Sequence, residues 1–214
     1  MTRVALAVFV LVGLLLPSHA AAKRRYKVEI TPHLGYSFGG AFGDGSYNGS
    51  EVITFSDLNI DDGLDAGIAV DVPVSRSLQL EALYNRQATK LQLKELVDED
   101  LPLLDLSVNY WHFGLLYQYP QRSIFPFGTI HAGVTRFSPK ENFDGMTKFS
   151  WALGLGVKSY VSRNVGVRFQ IRGIGTYITA SDQTFCDPSG FCYDYPKSTW
   201  MWQGELTGGL IIAL

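Results

Sequence analysis

The sequence predicts an all-β fold: an eight-stranded antiparallel up-and-down transmembrane β-barrel with short turns at one end and four longer loops at the other. Three observations predict it. Apolar and polar residues alternate along most of the chain, an export-type leader precedes them, and no later segment is apolar for the roughly 18 residues of a spanning helix. Since strands cross a bilayer only within a closed barrel, the apolar face of each strand is expected to contact lipid.

The first residues predict a signal peptide at positions 1–22. Arg3 supplies a positive charge, and residues 4–16 form an apolar stretch that is too short to span a membrane as a helix. Small residues at 20–22 suit a cleavage site. The remaining residues 23–214 suit a single barrel domain, because about 190 residues is an ordinary domain length. A secreted soluble β-protein is the alternative, since it would show a similar leader and alternation.

The connections between the alternating segments predict the number of strands. Three short polar segments predict tight turns, and four longer stretches rich in Gly, Asp, Asn and Pro predict loops. Because short and long connections alternate, seven connections join eight strands, and both chain ends lie on the side of the short turns. The predicted turns are 75–77, 120–123 and 162–164; the loops are 40–62, 95–105, 138–148 and 180–198; the strands are 26–39, 63–74, 78–93, 106–119, 124–137, 149–161, 165–179 and 199–214.

The two faces of single strands predict which side contacts lipid. One face of the second strand is wholly apolar, whereas Asp65 and Asp71 lie on the other face. The sixth strand likewise separates Trp151 and Leu155 from Lys158. Aromatic residues gather near the predicted strand ends, as they do at membrane interfaces. A soluble lipocalin would have the reverse arrangement, with an apolar interior.

The inward-facing charges predict an ionic network in the lumen. Counting from the first and third tight turns places Asp71 opposite Glu81 and Lys158 opposite Arg168. These two strand pairs are on opposite sides of an eight-stranded barrel, whose interior side chains can fill. We therefore predict that the acidic pair meets the basic pair across the lumen, near the end with the short turns, and closes it.

A second tier is predicted further along the lumen. Arg172 and Glu205 are on adjacent strands, and Glu29 is expected within their reach. The alternative is that all these charges face interior water without specific pairing. Inward glycines such as Gly67 and Gly154 leave room for a narrow channel or a small ligand.

The chain has two cysteines, Cys186 and Cys192, which predict a disulfide that pins the fourth loop. Closing so small a ring contributes roughly 2 to 3 kcal/mol in the chain-entropy model. A redox or metal site is disfavoured, because no histidine or further cysteine is nearby. Aromatic residues around this disulfide predict a contact surface: Phe185, Phe191, Tyr193 and Tyr195.

The charge distribution limits the partners. A formal net charge of -2 gives no indication of nucleic-acid binding. The predicted loops are acidic, which disfavours their direct attraction to anionic lipopolysaccharide or heparin. Divalent cations could bridge loop carboxylates to lipid phosphates, although no loop has a defined calcium spacing. A solvated outer rim is the simpler interpretation.

Two segments resemble small outer-membrane barrels of the OmpA/OmpX-like family. Residues 154–160, a turn, and residues 165–172 are similar to the hairpin around the seventh strand of that family. Residues 126–128 followed by Ala132 and Gly133 resemble its fifth strand. The resemblance implies a bacterial outer-membrane location with both chain ends periplasmic, insertion by the barrel-assembly machinery, and contact with outer-membrane lipid and lipopolysaccharide.

Three classes of function follow, in order of preference. The first is a monomeric structural or adhesive barrel with an unidentified external partner, and the second is a narrow channel or carrier of small hydrophobic ligands. The third is a lipid A-modifying enzyme. A deacylase of that kind would show His-x-Ser, and the triplets beginning at His33, His112 and His131 do not match. We therefore predict no catalysis, no cofactor and no metal.

Overall fold

The computed structural model describes residues 27–40, 45–48, 52–55, 58–93, 101–119, 124–139, 145–179, 193–194 and 198–214. The predicted signal peptide lies outside these residues. Within the described part of the chain, no helix has the length and hydrophobicity needed to cross a bilayer. The strands are β1 (Glu29–Gly39), β2 (Gly45–Asn48), β3 (Val52–Phe55), β4 (Leu58–Ile60), β5 (Gly63–Pro73), β6 (Leu78–Leu93), β7 (Leu101–Gln118), β8 (Ile124–Pro139), β9 (Met146–Tyr160), β10 (Val165–Ile178), β11 (Tyr193–Asp194) and β12 (Thr199–Ala213).

Eight of these strands close into an antiparallel barrel in the order β1, β5, β6, β7, β8, β9, β10, β12. The β12 strand returns to pair with β1, from Glu29 opposite Ala213 to Gly39 opposite Gln203, which closes the ring. The predicted fold, an eight-stranded up-and-down barrel, is confirmed. In this ring β5 is diametrically opposite β9, and β6 is opposite β10.

Two of the tight turns are built in the same way. Ser75 Oγ accepts hydrogen bonds from the backbone N–H groups of Ser77 and Leu78, at 3.3 and 3.1 Å. Ser162 Oγ accepts the equivalent bonds from Asn164 and Val165, also at 3.3 and 3.1 Å. A serine at the start of each turn therefore fixes both hairpins locally, and a fixed turn sets the register of its two strands.

The loop side differs from the prediction at three places. Residues 101–105, predicted as loop, belong to β7 and pair with the end of β6, where Leu93 is opposite Leu101. The predicted loop 138–148 is shorter, because β8 ends at Pro139 and β9 begins at Met146. The predicted loop 40–62 contains β2, β3 and β4, and β2 pairs with both β3 and β11 in a small second sheet. Backbone pairing, which residue composition does not reveal, therefore lengthens β7, β8 and β9 and forms additional short strands in these segments.

Apolar side chains cover the outside of the barrel. Leu64, Phe113 and Leu155 are each about two-thirds or more exposed, at 77, 68 and 69%. Polar and charged side chains are buried inside, where Asp71 and Lys158 are 0% exposed. This distribution is the reverse of that in a soluble protein, and it matches an outward face that contacts lipid.

Candidate functional site in the barrel lumen

The ammonium group of Lys158 lies at the centre of the lower lumen, near the end with the tight turns. Alternation along β9 directs this side chain inward, where it is fully buried. Its Nζ donates hydrogen bonds to Asp71 Oδ2 at 2.7 Å, Glu29 Oε2 at 2.9 Å and Gln79 Oε1 at 2.9 Å. All three ammonium protons are therefore used, as a buried charge requires.

The guanidinium of Arg168 lies beside Lys158 and faces the opposite strand β6. Its Nη1 is 2.7 Å from Glu81 Oε2, and its Nη2 donates to Glu81 Oε1 at 3.1 Å. The same group donates to Asp71 Oδ2 at 3.3 Å and to Gln170 Oε1 at 2.7 Å. The guanidinium carbon lies 4.7 Å from the centre of the Phe127 ring, within the range of a cation–π contact.

The structure brings four predicted site residues together across the barrel. Asp71 is opposite Glu81 in register, and Lys158 is opposite Arg168. Neighbours of like charge would repel each other in isolation. Here each like-charged pair is compensated by the pair on the facing wall, so the charges can remain ionised inside the lumen.

Asp71, Glu81, Lys158 and Arg168 form the lower tier of the charge network, and Glu29 belongs to it as well. It is opposite Asp71 in register and accepts a hydrogen bond from Lys158. The prediction that Glu29 lies within reach of Arg172 and Glu205 is wrong, because its register places it level with Asp71. The long connection between β1 and β5 leaves that register undetermined by the sequence, whereas a tight turn would have determined it.

Arg172 and Glu205 form the second tier, closer to the loop side. They are opposite each other on β10 and β12. Arg172 Nε donates to Glu205 Oε2 at 3.2 Å, and Nη2 contacts the second carboxylate oxygen. A separate buried carboxylate in this half of the lumen, Asp65, accepts a hydrogen bond from Ser37 Oγ at 2.7 Å. Both carboxylates are thus held by neighbouring side chains.

The three described histidines all face the lumen. His131 Nε2 lies 3.0 Å from Glu81 Oε1, which connects it to the lower tier. The His131 ring stacks on His112, with ring centres 6.4 Å apart, and His112 Nε2 is 2.8 Å from Ser150 Oγ. His33 is buried on β1. Within the described residues, no group of three or more His, Cys, Asp or Glu side chains could hold a metal ion.

An apolar layer fills the loop-side end of the lumen. It includes Ile60 of β4, whose backbone N–H donates to Gly40 O at 3.0 Å and so holds β4 against the barrel. At its base the Tyr110 hydroxyl donates a hydrogen bond to Gln203. The layer comprises Ile60, Leu106, Val108, Tyr110, Phe137, Ala152, Ile174, Ile178 and Met201, with Met146 packed against it.

This apolar layer is not among the features predicted from the sequence, although the sequence carries a signal for it. Leu106, Val108 and Tyr110 occupy alternate positions of β7 on the inward face. Ile174 and Ile178 are also on the inward face of β10, on either side of Thr176. An inward face that changes from polar to apolar toward the loop side could have been read from these positions once the outward face was assigned.

The predicted disulfide and loop surface lie largely outside the described residues. Both cysteines, Cys186 and Cys192, are among the residues not described. The same holds for Phe185, Phe191 and Tyr195. Tyr193 is described through its backbone, which pairs with Tyr47 of β2. Both the disulfide and the loop contact surface remain predictions.

Comparison with known proteins identifies a shared domain. The family model of the outer membrane protein beta-barrel domain matches residues 7–191. No curated protein matches the chain.

Several solved structures share the fold at low sequence identity. Neisserial surface protein A (NspA) is 14% identical, with a TM-score of 0.56 over 87% of this chain and 97% of that one. OprG from Pseudomonas aeruginosa is 12% identical, with a TM-score of 0.62 over 89 and 98% of the two chains. The solid-state NMR structure of AlkL is 14% identical, with a TM-score of 0.56 over 92 and 94%. At such identities the likeness shows the fold alone.

Proposed function

The chain belongs to the outer membrane protein beta-barrel domain family, and from this premise we propose that it is a closed, non-conducting barrel with a structural or adhesive role at the cell surface. The tight turns face the periplasm together with both chain ends, and the loop side faces outward. This orientation rests on the usual asymmetry of outer-membrane barrels, which have short periplasmic turns and longer outer loops.

The observation that carries the proposal is the burial of Lys158. Its ammonium is 0% exposed and bonded to groups on the facing side of the barrel. An ion passing through the lumen would have to separate Lys158 from Asp71 and Glu29, which leaves buried charges unpaired. Breaking a buried ion pair in this way costs about 3 to 5 kcal/mol. The lower tier therefore blocks the lumen at its periplasmic end.

The apolar layer supports closure at the other end. Leu106, Val108 and Phe137 are 0% exposed although they point into the lumen. A polar solute would lose its hydration in crossing this layer without gaining hydrogen bonds. Two barriers of different chemistry thus lie in series along one lumen.

Because a closed lumen carries no solute, the biological role that we propose depends on the outer surface of the protein. We propose a monomer whose partners are outer-membrane lipid, including lipopolysaccharide, and an external partner that contacts the loops. Insertion would use the barrel-assembly machinery after removal of residues 1–22. The proposal includes no catalysis and no cofactor.

A second candidate function is the binding or passage of small hydrophobic molecules. The apolar layer favours it, because a hydrophobic ligand could replace the contacts that Met146 and Met201 make there. Such a ligand would still meet the ionic tier below. This candidate therefore predicts binding at the loop-side end of the lumen, with displacement of Ile60 and β4.

Planar-bilayer recordings separate the two candidates from an open pore. The purified protein is first shown to be folded by its different mobility on SDS gels with and without heating. We expect no discrete conductance steps, with a porin as the positive control. Steady steps from the folded protein would overturn the closed-barrel proposal. Saturable retention of a radiolabelled small hydrophobic ligand by the folded protein, absent in an Ile60→Glu variant, would favour the second candidate.

A further inference from the structure

The outer surface of β6, β7 and β8 changes character over three successive rows of outward-facing residues. The lowest of these rows is apolar and aromatic, and comprises Tyr84, Trp111, Val134 and Phe149. The next row toward the loop side comprises Arg86, Asn109, Arg136 and Thr147. The third row has small residues, Ala88, Ser107 and Ser138. A pair of arginines therefore lies directly at the upper border of the lipid-facing surface.

The aromatic row marks the depth of the arginines in the bilayer. The rings of Tyr84 and Trp111 pack with their centres 4.3 Å apart, and Trp111 is half exposed. Tyrosine and tryptophan in such positions lie at the level where hydrocarbon meets headgroups. Arg86 and Arg136 are two residues further along their strands, about 7 Å at the rise of a β-strand. This places the guanidiniums at the depth of lipid phosphates.

The two arginines are spaced so that both can contact one anion. Each is opposite Asn109 in register, so their backbones are two strands apart, about 10 Å. Both side chains are exposed on the same face. Arg86 Nη2 donates to Ser107 Oγ at 3.3 Å, which holds this guanidinium against β7, on the loop side of Asn109.

The asparagine between them carries a neutral donor, its amide nitrogen. Asn109 Oδ1 accepts a hydrogen bond from the Tyr84 hydroxyl at 3.0 Å, which connects the arginine row to the aromatic row below it. Arg86, Asn109 and Arg136 therefore present two guanidiniums and one amide on the same face of three adjacent strands. Guanidiniums form paired, charge-assisted hydrogen bonds with phosphate oxygens, which makes phosphate the best-matched anion.

We propose that Arg86, Asn109 and Arg136 bind the phosphate of an anionic lipid headgroup in the leaflet on the loop side. The acyl chains of that lipid lie against the aromatic row below. The nearest described carboxylate on the same face of β7, Asp105, is four residues from Asn109 and is opposite Lys90 in register. Only the assignment of this leaflet as the outer one rests on the proposed function.

Lipid retention measures the proposed site directly. The protein is placed in phosphatidylcholine nanodiscs containing a minor fraction of lipid A, and the lipids that remain bound are counted by native mass spectrometry. We expect wild type to retain lipid A in preference to phosphatidylcholine. Arg86→Gln with Arg136→Gln should lower this preference about tenfold, the loss expected for one or two charge-assisted hydrogen bonds.

A matched double variant controls for total charge. Arg76 and Arg163 are exposed on two tight turns that lie on opposite sides of the barrel, so they cannot share one anion. Arg76→Gln with Arg163→Gln removes the same charge and should leave the preference for lipid A unchanged. An equal loss in this control, or no preference in wild type, would overturn the site.

Competition with free phosphate identifies the source of the anion. Inorganic phosphate should not displace lipid A, because it lacks the acyl chains that lie on Trp111 and Val134. Complete displacement would show a site for free phosphate and contradict the lipid proposal. Since nanodiscs report lipid binding whether or not the lumen conducts, a failure here is distinct from a failure of the closed-barrel proposal.

Discussion

Lys158 Nζ and Asp71 Oδ2 lie 2.7 Å apart although their strands, β9 and β5, are on opposite sides of the barrel. The contact crosses the whole lumen and joins residues 87 positions apart in sequence. A single buried ion pair therefore connects two walls that share no backbone hydrogen bonds. We expect the stability of the barrel, and under the closed-barrel proposal its closure, to depend on this pair and its neighbours.

Replacing Lys158 by methionine should destabilise the barrel strongly. The substitution keeps the length of the side chain but leaves Asp71 and Glu29 buried without their cation, at a cost of about 3 to 5 kcal/mol. The free energy of unfolding in urea, followed by Trp fluorescence in lipid vesicles, measures the loss. Lys27→Met, a half-buried lysine at the start of the described chain, is the matched control and should change the free energy little. Adding Asp71→Asn to Lys158→Met should recover part of the loss, and no recovery would argue against a direct ionic interaction.

Glu81 and Arg168 should show strong energetic coupling. Glu81→Ala leaves Asp71 as the carboxylate that pairs with the Arg168 guanidinium, and Arg168→Met leaves Glu81 with His131 as its nearest partner. Each single variant is expected to lose several kcal/mol, and the double variant should lose less than the sum, by about 1 to 3 kcal/mol. Unfolding titrations of the four proteins complete the cycle. Strict additivity, or a Glu81→Ala variant that melts no earlier than wild type, would indicate that these charges face interior water separately.

Two glycines at mid-strand positions should respond oppositely to valine. A Cβ at Gly133 would collide with the Trp111 carbonyl oxygen and lie 2.6 Å from the His112 ring, so Gly133→Val should prevent β7 from pairing with β8. A Cβ at Gly173 would meet nothing within 4 Å, so Gly173→Val should fold normally. The fraction of protein with heat-modifiable gel mobility, after refolding into detergent, reports both. Equal folding of the two variants would show that β7 and β8 can separate locally at Gly133.

The Cys186–Cys192 disulfide can be tested without reference to the barrel. Under non-reducing conditions the intact mass should be lower by two hydrogens than after reduction, and neither thiol should react with iodoacetamide. Reduction should lower the unfolding free energy by no more than roughly 2 to 3 kcal/mol, because the predicted ring is small and closes within one loop. Alkylation of both cysteines in the untreated, folded protein would disprove the bridge.

The eight strands and the polar inner face could be predicted from the sequence because both depend on neighbouring residues. A two-residue period fixes which side chains share a face, and the serine-initiated turns at Ser75 and Ser162 fix the register of the strands they join. This local information is enough to place Asp71 beside Glu81 and Lys158 beside Arg168. Where two strands are joined by a long connection, as β1 and β5 are, neighbouring residues do not determine their register. For this reason the position predicted for Glu29, within reach of Arg172 and Glu205, is wrong.

By itself the sequence determined the strand number, the outward apolar face and the residues that line the lumen, since alternation and tight turns act over a few residues. Only the tertiary structure decided which side chains meet inside. Contacts such as Lys158 with Glu29, or Ile60 with the apolar layer, depend on how the closed ring offsets its strands and how far each side chain reaches across the lumen. The row of Arg86, Asn109 and Arg136 arises in the same way, because three separate strands bring it together at one depth.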